Sequence, residues 1–272
     1  MKIAKILLVP ALIAGSAFAG SAMAGATCAD LPKAAELKKV LVQVVDMNDS
    51  GGSGHLPWLV EMDATGTVCA VVSYLSSESG ADVTTNMSGI GHRILAAHKA
   101  NTSAMFSHDA IALSSANFYA LTLPGGQMYG MNFPSSPLDV LNGRDPKTWG
   151  TVKDPMIGKK VGGFTVMAGG LPLYSTDKHK VGAIGISGST FCSAHTIAWK
   201  IRERLADGAF AVKNVPGGVA NGYKNDALIQ DLSATNAPGT SFSSPSGFGH
   251  PVCSGNPPDA TDEGSIVGNE AK

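Results

Sequence analysis

No two of the four cysteines are spaced C-x-x-C, which excludes a thioredoxin-like redox pair and a zinc ribbon built on such pairs. C-x-x-C-H is missing too, so haem is not attached covalently as in c-type cytochromes. The chain has neither an H-E-x-x-H pair nor a phosphate-cradling G-x-x-x-x-G-K-[ST] loop. Gly185-Ile186-Ser187-Gly188-Ser189 lacks the second glycine of a nucleophile elbow. Ser175-Thr176-Asp177-Lys178 matches S-x-x-K, but it falls in a hairpin turn and not at a helix start. Charge is scarce: 15% of residues, with 20 basic against 21 acidic. Nothing in that balance attracts a polyphosphate backbone, so nucleic acid is not an expected partner. Outside the opening residues no apolar run reaches the length needed to span a bilayer.

The opening does carry a signal. Lys2 and Lys5 precede an uncharged apolar run from Ile6 to Ala19, and Ala22-Met23-Ala24 supplies an A-x-A cleavage site. Residues 1–24 therefore read as a secretory signal peptide, with a periplasmic or secreted product and no membrane anchor after cleavage. Residues 25–207 read as one folded domain. Residues 208–272, rich in Gly, Pro and Ser, read as an extension whose end is disordered. Cys28, Cys69, Cys192 and Cys253 all follow the cleavage point, and an even count in an oxidising compartment predicts two disulfides. Four cysteines allow three pairings. Tethering the extension to the domain start favours Cys28 with Cys253, which leaves Cys69 with Cys192.

Along the chain, Asp30 is placed to cap a helix that admits Pro32 in its first turn. Leu37, Val40, Leu41, Val44 and Val45 form its buried stripe. Trp58–Asp63 and Thr67–Leu75 read as strands, and the second is apolar on both faces. A long helix spans about Met87 to Phe106, and a short one covers Ser114 to Leu121. The stretch from Pro124 to Gly162 reads as a long loop. Strands follow at Phe164–Met167, Leu171–Tyr174 and Val181–Ile186, then a helix at Cys192–Leu205 and a strand at Ala227–Gln230. This order predicts an α+β fold, with helices packed against a mostly antiparallel sheet.

The seven histidines differ in promise. His55 and His250 lie in Gly-rich loops, and His179 reads as a solvated turn residue. His92 and His98 are about 240° apart around a helix and cannot bind one metal from a single face. His98 is followed by Lys99, Asn101 and Thr102, so an imidazole, an ammonium, an amide and a hydroxyl cluster on neighbouring helical positions. Such a set could ligate a metal through His98 or hold an anionic ligand. His195 stands beside Thr196 and Trp199 on the last helix. The methionines, Met105 and Met167 among them, read as core filler, though a thioether can also serve as an axial iron ligand.

Several segments together resemble exported members of the GlcG/HbpS-type haem-binding family. They are Cys28-Ala29-Asp30-Leu31-Pro32, Ala97-His98-Lys99-Ala100-Asn101-Thr102 and Ala168-Gly169-Gly170-Leu171-Pro172-Leu173-Tyr174. Val181 to Gly188, Cys192-Ser193-Ala194-His195-Thr196-Ile197-Ala198-Trp199-Lys200 and Gly247-Phe248-Gly249-His250-Pro251-Val252-Cys253 complete the pattern, which covers nearly all of residues 28–253. The resemblance implies an α+β fold, homo-oligomers, and binding of haem or a related tetrapyrrole, in some members with haem breakdown or iron and redox sensing. On that reading His98 is the axial ligand, Lys99 neutralises a propionate, and Asn101, Thr102 and His195 contribute to the site. The chain departs from the pattern twice. Ala194 stands where relatives carry an acid, and His98 stands where a glutamine is common. The alternative reading is an extracytoplasmic enzyme for a small organic acid or aromatic compound, with Lys99, Thr102 and Ser187 lining its pocket.

Overall fold

The computed structural model describes residues 26–46, 57–77, 80–81, 90–131, 133–137, 145–207, 214–219, 225–235 and 242–253. The expected signal segment, His55, the expected beginning of the second long helix and the chain's end lie outside them. Helix α1 (Ala34–Asp46) leads into strands β1 (Trp58–Asp63) and β2 (Val68–Ser73). Helix α2 (Ile90–Phe106) follows, then strands β3 (Gly170–Tyr174) and β4 (Lys180–Ser187) and helix α3 (Phe191–Arg204). The strands form one sheet in the order β2-β1-β4-β3, with every neighbouring pair antiparallel. The chain thus has the α+β fold expected of it.

The sheet is apolar on both faces because helices cover both. On one side Leu37, Val40, Leu41 and Val44 of α1 and Ile197, Ala198 and Ile201 of α3 pack on Leu59, Val72, Leu171, Leu173, Ile184 and Ile186. On the other side Trp58, Val60, Met62 and Val71 meet Ala96, Ala97 and Ala100 of α2. Here the contact is between backbones. A Cβ on Gly185 would come within 2.0 Å of the Ala96 carbonyl oxygen, and one on Gly170 within 2.2 Å of the Lys99 carbonyl oxygen. Alanines above glycines let α2 lie directly on β3 and β4.

Four expectations are corrected. Cys28 pairs with Cys69, and Cys192 with Cys253. The turn before α1 lies against the start of β2, and the first turn of α3 lies against the 248–253 segment. Each cysteine therefore has a spatial neighbour that the ends of the chain do not reveal. Asp30 does not cap α1. It closes a 3₁₀ turn (Cys28–Asp30), where its carboxylate accepts from the Thr27 amide and hydroxyl. Phe164–Met167 is not a strand, since the Thr165 amide donates to Thr102 Oγ1 and the Met167 amide to Thr165 Oγ1. Ala227–Gln230 is likewise irregular; the short ladder nearby is Ser233–Ala234 with Phe242–Ser243.

Glu61 stands apart within this core. It lies mid-β1 on the same face as Leu59, toward α1, is wholly buried, and neither carboxylate oxygen has a hydrogen-bond partner. Burial pushes its pKa well above the ordinary carboxyl range, against a smaller opposing effect of Lys33. The folded state therefore holds this proton more tightly than the unfolded chain. Glu61's contribution is most favourable below the unfolded pKa of about 4.3 and is lost as pH rises through the folded value. Glu61→Leu should raise stability at neutral pH by about 2–3 kcal/mol and flatten that alkaline loss. Thermal melts of both proteins at acidic and alkaline pH check this, and equal melting shifts at all pH values would contradict it.

Candidate functional site

The functional residues expected from the sequence gather around α2, but they divide between its two sides. The inner side is built from small residues and rides on the sheet. Turned away from it, Gly91, Ile94, Leu95 and His98 follow the i, i+3, i+4, i+7 spacing of one helical face and, with His92 at their edge, line an open groove of about 440 Å³. Ile94 and Leu95 are half-buried there. His92 and His98 flank this groove together, and its lining between them is aliphatic, from Ile94 and Leu95. The Nδ1 of His92 lies 3.2 Å from Ser187 Oγ at the end of β4, which fixes the ring relative to the sheet.

His98 is held differently. Its Nε2 is buried and has no hydrogen-bond partner. It rests on Gly163, where a Cβ would stand 2.5 Å from the ring's Cδ2 and 2.8 Å from Nε2. Only glycine leaves room for the imidazole at that point. Desolvation lowers the His98 pKa, so the ring is neutral at pH 7 and keeps a lone pair available for a metal or a donor.

Lys99, Asn101 and Thr102 point into the protein and not into the groove. Asn101 Nδ2 donates to the Gly163 carbonyl oxygen at 2.7 Å, and Thr102 Oγ1 donates to the His98 carbonyl oxygen at 2.8 Å. Together they clamp the 163–165 segment against α2. Lys99 is 1% exposed, and its Nζ donates to the Ile186 carbonyl oxygen at 2.8 Å. Burial brings its pKa down to about 7. Ser187 is 2% exposed and Thr102 fully buried, so neither lines an opening with Lys99.

His195, on the first turns of α3, is fully buried, and neither ring nitrogen has a hydrogen-bond partner. Desolvation lowers its pKa to about 3. Trp199 lies 6.1 Å away, ring centroid to centroid. His250, set aside as a loop residue on sequence grounds, is 3% exposed with an unpartnered Nε2. Its ring lies 5.1 Å from that of Tyr119 and 6.4 Å from that of Phe191. The signal for it was the Gly249-His250-Pro251-Val252-Cys253 run, because Cys253 ties this segment to Cys192, three residues before His195.

Among the described residues, one cluster has metal-ligand proximity: Cys28, Asp63 and Cys69. Its two sulfurs are joined as a disulfide. No helix among the described residues is long and apolar enough to cross a membrane.

No protein-family model matches the chain, and no curated protein matches it. Among solved structures it is similar to a PduOC:heme complex, at 16% identity over 65% of this chain and 92% of that one, with a TM-score of 0.39. It is also similar to Klebsiella pneumoniae protein ORFY, of family DUF336, at 15% identity over 64% of this chain and 86% of that one, with a TM-score of 0.37. At such scores the likenesses carry no argument about ligand or mechanism.

Proposed function

We propose that the protein binds haem or a related planar tetrapyrrole in the groove on the outer face of α2, with His98 as the axial donor. The observation that carries this reading is the unpartnered, neutral imidazole of His98 in an aliphatic groove. Rotating that ring to present Nε2 to the groove breaks no hydrogen bond, because that nitrogen makes none. Ile94 and Leu95 would pack against the macrocycle, and His92, braced by Ser187, would flank it. The motif resemblance supports the same ligand. Bound haem would supply iron-centred redox or oxygen chemistry; the chain's own part is to position the ring and exclude water from one of its faces.

Lys99 takes no part in this reading, since its ammonium is committed to the Ile186 carbonyl on the far side of the helix. The two disulfides support export to an oxidising compartment. Titrating hemin into the protein should shift the Soret band. His98→Ala should weaken binding at least about tenfold, which corresponds to about 1.4 kcal/mol. A flat titration, or an unchanged affinity in the variant, removes the proposal.

A further inference from the structure

Lys99, His195 and His250 make a second cluster that the groove does not use. Phe191 brings them together: its ring lies 5.8 Å from Lys99 Nζ and 6.4 Å from the His250 ring, and His195 follows it one turn later on α3. All three are at least nine-tenths buried, with exposures of 1%, 0% and 3%. Their polar capacity is largely unspent. The Lys99 ammonium makes one hydrogen bond, to the Ile186 carbonyl, although it can donate three. Both nitrogens of His195 and the Nε2 of His250 make none. The carboxylate that acts on His195 belongs to Asp226, which is already held by two bonds from Arg202, at 2.6 and 2.8 Å.

We infer that this cluster is a binding site for a small organic monocarboxylate, entered past Phe191. The chemistry of the lining selects that class. A single buried ammonium favours one negative charge, which Lys99 can neutralise while His195, with both ring nitrogens unpartnered, donates to its oxygens. His250, whose Nδ1–H donates to the Pro251 carbonyl oxygen at 3.0 Å, adds its ring as a wall. A metal cation would face the ammonium. A dianion would demand more positive charge than burial permits. The walls are aromatic and suit a carbon skeleton: Phe191 lies 5.8 Å from Lys99 Nζ, and the Tyr119 ring lies 5.1 Å from that of His250, tilted by 60°. Phe191 is 43% exposed at the start of α3, so it can swing outward, while the Cys192–Cys253 bridge keeps the His250 segment in place. An unpartnered buried polar group typically costs about 1–3 kcal/mol, and an anion that satisfied several at once would offset that cost.

This inference is independent of the groove. Isothermal titration with benzoate, acetate and chloride tests it on the full-length processed protein. Benzoate and acetate should each give saturable binding, and Lys99→Met should weaken both at least about tenfold. Should that variant lack a cooperative melt, His195→Phe is measured instead and should weaken both about fivefold, the equivalent of one lost hydrogen bond. No binding in the parent protein, chloride competing as well as benzoate, or folded variants that bind as tightly as the parent would each overturn it. The two sites separate cleanly: Lys99→Met should leave the hemin Soret shift intact, and His98→Ala should leave benzoate binding intact.

Discussion

Replacing Asp154 with alanine should cost about 3–5 kcal/mol, lowering the melting temperature by roughly 10 °C. Arg93 of α2 is fully buried, and its Nε donates to Asp154 Oδ2 at 2.8 Å while its Nη2 donates to Oδ1. The same carboxylate accepts from the Gly150 amide at 2.8 Å and the Met156 amide at 2.9 Å. Alanine would remove a carboxylate from a buried guanidinium and two loop amides at once. Neutralising both partners, as in Arg93→Leu with Asp154→Leu, should recover part of the loss, because no uncompensated charge is left inside. Urea denaturation of the single and double variants measures this. A single variant within 1 kcal/mol of the parent would show that the pair contributes only as a surface ion pair would. Arg93 follows His92 directly, so the Asp154→Ala variant should also lose affinity for hemin.

The second large effect concerns the bridge between Cys192 and Cys253. It closes a separation of 61 residues, and the chain-entropy relation assigns such a loop about 4 kcal/mol. Replacing both cysteines with alanine should lower stability by that order. The 248–253 segment should also exchange its amide hydrogens faster, beginning with the His250 amide that donates to the Ile229 carbonyl at 2.7 Å. The other bridge, Cys28–Cys69, spans 41 residues and should give a similar but slightly smaller loss. Unchanged exchange at His250 would show that the Leu232–Pro251 bridge and the Ile229 contact hold the segment unaided.

Much of the frame was legible in the residues. The apolar spacing of Leu37, Val40, Leu41 and Val44 marks α1, and the apolar run at 68–72 marks a strand buried on both faces. Local spacing could not show what these elements meet. Phe164–Met167 has strand-like composition, but Thr102 and Ser115 side chains take the backbone groups a ladder would have used. Cysteine partners depend on which loops meet, which composition does not encode. At the site, the run from His98 to Thr102 is a single turn of helix, and a turn has two sides. His98 flanks the groove, whereas Lys99, Asn101 and Thr102 serve the interior. His250 was missed because a histidine among glycines looks solvated until a disulfide pins it down.

The seating of α2 on bare backbone has a mechanical result. With carbonyls of Ala96 and Lys99 against Gly185 and Gly170, the rod cannot roll or slide without collision, much like a key in its slot. Any guest on its outward surface therefore meets a preset platform, and adjustment falls to individual rings rather than to movement of the helix. Little ordering penalty remains at the moment of capture, so discrimination between guests should rest on their shape.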